Sequence, residues 1–145
     1  MIWYKNSEGR YGARGAKGDL GEAIVEEYCE TNNILFEDKN VINSQVKLKI
    51  DCIIDGIPVD VKANYYEGTL CVELYNKKRQ QAGWLYTITA EQIYGVDVDS
   101  KSIFRYNIQD MIAYINENKH RAKKTKYDDV VMWVPVTTDI IEKLQ

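Results

Sequence analysis

The chain has 145 residues, of which 45% are apolar and 11% aromatic. This length and composition predict one globular domain over residues 1–145, with enough apolar side chains for a hydrophobic core. The formal net charge of -3 argues against a nucleic-acid-binding protein that is held mainly by a strong positive field.

Neither a membrane anchor nor a disulfide framework is indicated. No stretch has the apolar length of a membrane span, and the opening residues lack the apolar centre of a signal peptide. We therefore expect a soluble, cytoplasmic protein without a membrane partner. Cys29, Cys52 and Cys71 are odd in number, far apart and surrounded by apolar neighbours, so reduced core cysteines are expected instead of disulfides or a zinc site.

The predicted elements begin with a basic, Gly-rich arm at residues 1–16, which we expect to be mobile. Leu20, Ile24, Val25 and Tyr28 then follow helical spacing and predict a helix over 18–30. The remaining patterns predict, in order, a hairpin (46–63), strands (69–75, 93–98, 102–107), a helix capped by Asn107, a strand (130–136) and a short helix (137–145). This order predicts an α/β fold, a mixed β-sheet flanked by helices. Residues 76–92 fit none of these patterns well.

The hairpin is the most informative segment, because Asp55-Gly56 between apolar runs is typical of a two-residue type I′ turn. That turn fixes the register and opposes Asp51 with Asp60, and Lys49 with Lys62. One face, from Leu48 and Ile50 to Val61 and Ala63, is then wholly apolar, whereas the other is mostly charged. The simplest alternative is a hairpin with its charged face in water.

A solvated face does not explain why one Asp opposes another. Directly opposed like charges destabilise a sheet by roughly 0.2–1 kcal/mol, and Asp51 and Asp60 are expected as a non-hydrogen-bonded pair with Cα atoms about 4.5 Å apart. A bound cation would reverse the sign of this interaction. Mg²⁺ accepts two converging carboxylates with water, and Lys62 lies two residues beyond Asp60 on the same face. The pattern therefore favours a metal site over a solvated face.

Asp51, residues 60–62 (Asp-Val-Lys) and a preceding helix with Glu22 resemble the PD-(D/E)xK nuclease superfamily. The usual Pro before the first Asp is Ile50 here. The segment KGDLGE at 17–22 is also similar to the Lys-Gly-x-x-x-Glu opening of archaeal Holliday-junction resolvases, and phage junction endonucleases have a similar arrangement. The resemblance implies a restriction-endonuclease-like core.

The resemblance also implies the roles of the site residues. Asp51, Asp60, the carbonyl of Val61 and Glu22 would bind one or two Mg²⁺ or Mn²⁺ ions against the scissile phosphate. Lys62 would orient or deprotonate the attacking water, or neutralise the phosphate. The catalytic set implied is Glu22, Asp51, Asp60 and Lys62. Two other carboxylates stay open as alternatives: Glu26, one helical turn beyond Glu22, and Glu73.

The function implied is metal-dependent endonucleolytic cleavage of DNA, directed to Holliday junctions or other branched DNA, in a microbial or phage-infected cell. A homodimer would present two sites to two strands, and it would account for aromatic residues beyond the needs of the core. Two basic clusters, in the arm and at KHRAKKTK (119–126), are expected either to hold phosphate or to be solvated. The residues expected to contact DNA are Arg10, Arg14, Lys17, Lys49, Lys123 and Lys124. The alternative is a non-catalytic nucleic-acid or protein-binding module on a nuclease-like fold.

Overall fold

The structure is a computed structural model that describes residues 13–38 and 50–145. Its described elements are, in chain order, α1 (Ala13–Thr31), β1 (Phe36–Asp38), β2 (Cys52–Ile54), β3 (Ile57–Lys62), β4 (Tyr65–Tyr66), β5 (Thr69–Asn76), β6 (Gln81–Ala82), α2 (Trp84–Thr87), β7 (Gln92–Asp97), β8 (Ser102–Asn107), α3 (Ile108–Glu117), a 3₁₀ helix (Lys119–Arg121), β9 (Lys123–Lys124), β10 (Val130–Pro135) and β11 (Glu142–Lys143).

The described strands form two sheets. In the first, the order is β1-β2-β3-β7-β8-β11. Strands β3 and β7 run parallel, and the other neighbouring strands of this sheet run antiparallel. The second sheet has the order β4-β5-β10-β9, with β6 paired to β5, and is antiparallel. The predicted α/β fold with a mixed sheet flanked by helices is therefore confirmed.

Two hydrophobic cores lie on opposite faces of the first sheet, because successive side chains of a strand point to opposite faces. Val59 and Val61 of β3 pack with Val25 of α1 in one core, the core beneath α1. Ile93 of β7 packs with Leu70 of the second sheet in the other, the core between the sheets. Each fully buried side chain of this size contributes about 1.5–3 kcal/mol. The first sheet is thus enclosed between α1 and the second sheet.

Most of the predicted elements are confirmed. The helix expected at 18–30 is α1, and the strands expected at 69–75, 93–98, 102–107 and 130–136 are β5, β7, β8 and β10. The side chain of Asn107 caps α3 by accepting hydrogen bonds from the N–H groups of Gln109 and Asp110, at 2.8 and 3.2 Å. The cysteines are free, with Cys29 and Cys52 buried and Cys71 half-buried.

The helix predicted at 137–145 is wrong, since this segment instead adds β11 to the edge of β8. Leu144 donates its N–H to the carbonyl of Ile103 at 2.8 Å. Ile141 packs in the core between the sheets, whereas Leu144 packs in the core beneath α1. Apolar residues that must reach both faces of one sheet cannot do so from a helix.

Other differences concern the start and the surface of α1. The helix begins at Ala13, so residues 13–16, assigned to the arm, are helical, while residues 1–12 lie outside the described part of the chain. Leu20 was expected on the apolar face but is 52% exposed. Within residues 13–38 and 50–145, no helix has both the length and the apolar character to cross a membrane.

Candidate active site

The β2–β3 turn has the geometry that its sequence predicts. Asp55 has φ 51° and Gly56 has φ 81°, so both central residues adopt the positive φ that a type I′ turn requires. Cys52 opposes Val59 across the strand pair, which confirms the predicted register as far as Cys52. The turn therefore places the start of β2 beside the end of β3.

Asp51 leaves the regular ladder. Its N–H donates to the carbonyl of Val59 at 3.0 Å, although Val59 is already the partner of Cys52. Ile50 packs in the core between the sheets, whereas Cys52 packs in the core beneath α1. The expectation that Ile50 and Cys52 share one face is therefore wrong, because a bulge-like irregularity at Asp51 breaks the alternation.

The Asp51 carboxylate is directed at the backbone of β3. Its Oδ2 accepts a hydrogen bond from the N–H of Val61 at 2.8 Å. Burial raises the pKa of Asp51, and the Val61 N–H opposes this rise by stabilising the charged form. The negative charge of Glu22 also raises the pKa of Asp51, whereas a hydrogen bond with Asp60 and the charge of Lys62 lower it. Asp51 thus interacts with each of the other predicted site residues.

Asp60 is buried, with only 6% of its surface exposed, because the second sheet covers the face of the first on which it lies. This burial raises the pKa of Asp60 to about 7, with a further rise from the neighbouring charge of Asp51. Around neutral pH Asp60 is therefore expected in two forms, a protonated one that bonds to the carboxylate of Asp51 and a charged one that pairs with Lys62. The predicted juxtaposition of the two carboxyl groups is therefore present, but away from solvent.

The Lys62 ammonium lies between a carboxylate and an aromatic ring. Its Nζ is 3.1 Å from Oδ2 of Asp60, a distance typical of an ion pair but outside hydrogen-bond geometry, since this buried oxygen has no hydrogen-bond partner among the described residues. The same Nζ lies over the Trp84 ring, 5.0 Å from its centroid, within the range of a cation–π contact.

Trp84 was not identified as part of the site from sequence, because it lies in the segment 76–92 that fitted no pattern. It is the first residue of the short helix α2, and its backbone N–H donates to Oε1 of Glu73 at 3.1 Å. Oε2 of Glu73 accepts from the side chain of Asn76 at 3.4 Å. Glu73, left open as a possible site carboxylate, is thus engaged in fixing α2 and, through it, the ring beneath Lys62.

Glu22 and Glu26 both line a cleft of about 160 Å³ between α1 and the start of β2. The charge of Glu22 acts on Asp51, whereas that of Glu26 acts on Cys29. Between the two alternatives for the helix carboxylate, the electrostatic interaction with Asp51 favours Glu22. Asp51 and Val61 line the same cleft, so the predicted residues converge at the end of β3.

Of the predicted DNA-contacting residues, the three whose side chains the structure describes do not line this cleft. Lys17 is exposed on α1, and Lys123 and Lys124 are exposed on the edge strand β9 of the second sheet. The Nζ of Lys124 lies 3.5 Å from Oδ1 of Asp128. Arg10 and Lys49 lie outside the described residues, and for Arg14 the structure describes the helical backbone but not the side chain.

The donor set at the end of β3 fits a hard divalent cation. In an extended strand the N–H and C=O of one residue point to the same edge, so the Val61 carbonyl faces the side on which Asp51 lies. Two carboxylates and a carbonyl suit Mg²⁺, which keeps part of its water shell. Oδ2 of Asp60 is buried without a hydrogen-bond partner among the described residues, and the Lys62 ammonium lies 3.1 Å from it. The described residues hold no group of three or more acidic, His or Cys side chains arranged to hold a metal.

The fold is a mixed α/β sheet covered by α1 on one face and by the second sheet on the other. Among solved structures, the chain is similar to a bacterial homing endonuclease, I-Ssp6803I, with a TM-score of 0.51, 14% sequence identity and 71% of each chain covered. At this identity the similarity shows the fold alone. No family model matches the sequence, and no curated protein matches it.

Proposed function

We propose that the protein is a metal-dependent endonuclease that hydrolyses phosphodiester bonds in DNA, with the site formed by Glu22, Asp51, Asp60 and Lys62. The observation that carries this proposal is the burial of two carboxyl groups against one another beside a lysine. Placing two carboxyl groups together in a buried position costs free energy without a ligand, since burial and the neighbouring carboxylate both disfavour the charged form of each. The nuclease fold of the structural neighbour supports the same conclusion.

Mg²⁺ or Mn²⁺ would supply a water of lowered pKa and positive charge at the scissile phosphate. Asp51, Asp60 and the carbonyl of Val61 would hold the ion, with Glu22 holding it directly or through a water. To do so Asp60 must lose its proton, and because its pKa is about 7 this requires neutral or higher pH. Lys62 would then orient the attacking water or neutralise the phosphate, from a position fixed by Trp84.

We propose branched DNA, such as a four-way junction, as the substrate, and a homodimer as the active form. The support is the similarity of the segment at 17–22 and of the Asp-Val-Lys motif to junction resolvases. With a net charge of -3, binding must come from local basic clusters and not from an overall positive field. Recognition of DNA shape through a few phosphate contacts is compatible with such a surface.

Cleavage of a labelled four-way junction and of a matching linear duplex, with Mg²⁺ or Mn²⁺, tests the proposal. Asp60→Asn and Lys62→Ala should each lower the rate by roughly 100-fold or more. Matched controls are Asp55→Asn, since Asn suits a type I′ turn, and Lys143→Ala on the exposed strand β11. Cutting of the duplex as fast as the junction would reject junction selectivity. If no DNA is cut with either metal, the non-catalytic binding module replaces the nuclease.

A further inference from the structure

The outer face of the second sheet carries two large aromatic side chains. Trp133 of β10 is 41% exposed, although the residues on either side of it, Met132 and Val134, are fully buried. Tyr66 of β4 is 61% exposed. The centroids of the two rings are 5.9 Å apart, with planes inclined by 56°. Because the rings are tilted and not stacked, their faces are not used up on one another.

These rings are held in place by the sheet. Tyr66 lies beside a tight turn in which Glu67 has φ 45° and Gly68 has φ 82°, and the hydroxyl of Thr69 donates to the Tyr66 carbonyl at 2.7 Å. Trp133 opposes Cys71 in the middle of β10. Tyr66, Glu67, Thr69 and Trp133 line an open cavity of about 560 Å³. A rigid aromatic surface loses little conformational entropy when it binds a ligand.

The charge around this face differs in sign from that of the whole chain. Residues 65–82 and 123–135, which hold this sheet and its turns, contain six Lys or Arg and four Asp or Glu, giving +2, although the chain carries -3. Lys123 and Lys124 lie on β9, the strand next to β10. Exposed aromatic rings with basic side chains at their margin are the combination that binds single-stranded nucleic acid, where bases stack on rings and lysines contact phosphates.

We propose that Tyr66 and Trp133 form a stacking site for unpaired bases of a DNA substrate, with Lys123, which opposes Val131 two residues from Trp133, contacting an adjoining phosphate. This inference rests on the proposed DNA substrate and extends it, because it predicts a preference for DNA with single-stranded segments. A second copy of the chain is the less favoured occupant. In a two-fold dimer the same face meets itself, which would bring basic residues towards basic residues.

Binding of fluorescein-labelled oligothymidylate in EDTA, where metal-dependent cleavage cannot occur, tests the inference. Trp133→Ala and Tyr66→Ala should each weaken binding by about tenfold, whereas Trp133→Phe should retain most of the affinity. The affinity for a blunt duplex should change little in the two alanine variants. Lys123→Gln should reduce the salt dependence of binding by up to about one phosphate contact. Leu35→Ala, which removes another exposed apolar side chain, is the matched control.

Thermal unfolding of each variant confirms that it is folded, and Tyr66→Ala provides a second test if Trp133→Ala is not. Unchanged oligothymidylate affinity in both alanine variants would overturn the inference. If the wild type sediments as a dimer, Trp133→Ala as a monomer and affinity is unchanged, the face binds a second copy instead. A protein that binds oligothymidylate through Trp133 but cuts no DNA with either metal would reject the nuclease and leave the stacking site standing.

Discussion

The N–H of Val61 donates to Oδ2 of Asp51 at 2.8 Å, so the side chain of the residue just before β2 takes the place of a backbone partner along β3. This bond fixes the carboxylate of Asp51 against the strand that carries Asp60 and Lys62. It exists because the ladder between β2 and β3 stops at Cys52. The local break in regular pairing is therefore what assembles the candidate site.

The stability of the metal-free protein should fall as pH rises. Burial raises the pKa of Asp60 from 3.8 to about 7, so the folded state keeps a proton that the unfolded chain releases near pH 4. The resulting stabilisation is complete below pH 4 and is lost as pH rises through 7; it amounts to at most about 4 kcal/mol. Urea unfolding between pH 4 and 8 measures it. Asp60→Asn, which cannot titrate, should flatten the profile, whereas Asp55→Asn should not.

The ring of Trp84 should determine how well Lys62 acts. Trp84→Leu removes the cation–π contact and should lower kcat by roughly 10- to 100-fold through misplacement of the ammonium, with little change in KM. Trp84→Phe retains an aromatic face and should recover most of the rate. A purely structural role for Trp84 would instead be indicated if both variants lost stability and activity in parallel.

Gly83 should tolerate no side chain. A Cβ at this position would overlap the carbonyl oxygen of Glu73 and approach the backbone N of Leu74 to 2.7 Å, so β5 or α2 must shift. Gly83→Ala should destabilise the protein by about 1–3 kcal/mol and should also displace Trp84. Gly18→Ala in α1, where a Cβ meets nothing within 4 Å, should stabilise by roughly 0.5–1 kcal/mol. If Gly83→Ala and Gly18→Ala changed the free energy of chemical unfolding equally, the steric argument would be refuted.

The hydroxyl of Tyr106 should contribute nothing favourable to folding. It is buried without a hydrogen-bond partner in the described part of the chain, and burial, followed by the charge of Asp60, raises the pKa of Tyr106. Removing an unsatisfied buried polar group relieves a cost of about 1–3 kcal/mol. Tyr106→Phe should therefore leave the free energy of unfolding unchanged or raise it. A clear loss of stability would reveal a partner for the hydroxyl.

The hairpin could be predicted from sequence because its information is local. Asp55 and Gly56 set the turn, the turn sets the register as far as Cys52 and Val59, and Asp51 and Asp60 are the next residues of the two strands. The break at Asp51 could not be predicted, since it depends on Ile50 entering the core between the sheets. The same holds for Trp84, whose contact with Lys62 joins elements 22 positions apart through tertiary packing.

The burial of Asp60 could not be predicted from sequence for a related reason. Alternation along the hairpin identifies a charged face, but it does not say whether solvent or a second sheet lies against that face. The two long strands of the second sheet, β5 and β10, were recognised, whereas their packing on the first sheet was not. The short strands β4, β6, β9 and β11 have too few residues to show any periodicity.

Binding of Mn²⁺ tests most directly the central claim, that Asp51 and Asp60 together hold one divalent cation. Calorimetric titration at pH 8, where Asp60 is ionised in the metal-free protein, should show one or two sites in the wild type and in Asp55→Asn. Asp51→Asn and Asp60→Asn should each lose this binding. Equal Mn²⁺ affinity in all four proteins, or none in the wild type, would contradict the claim.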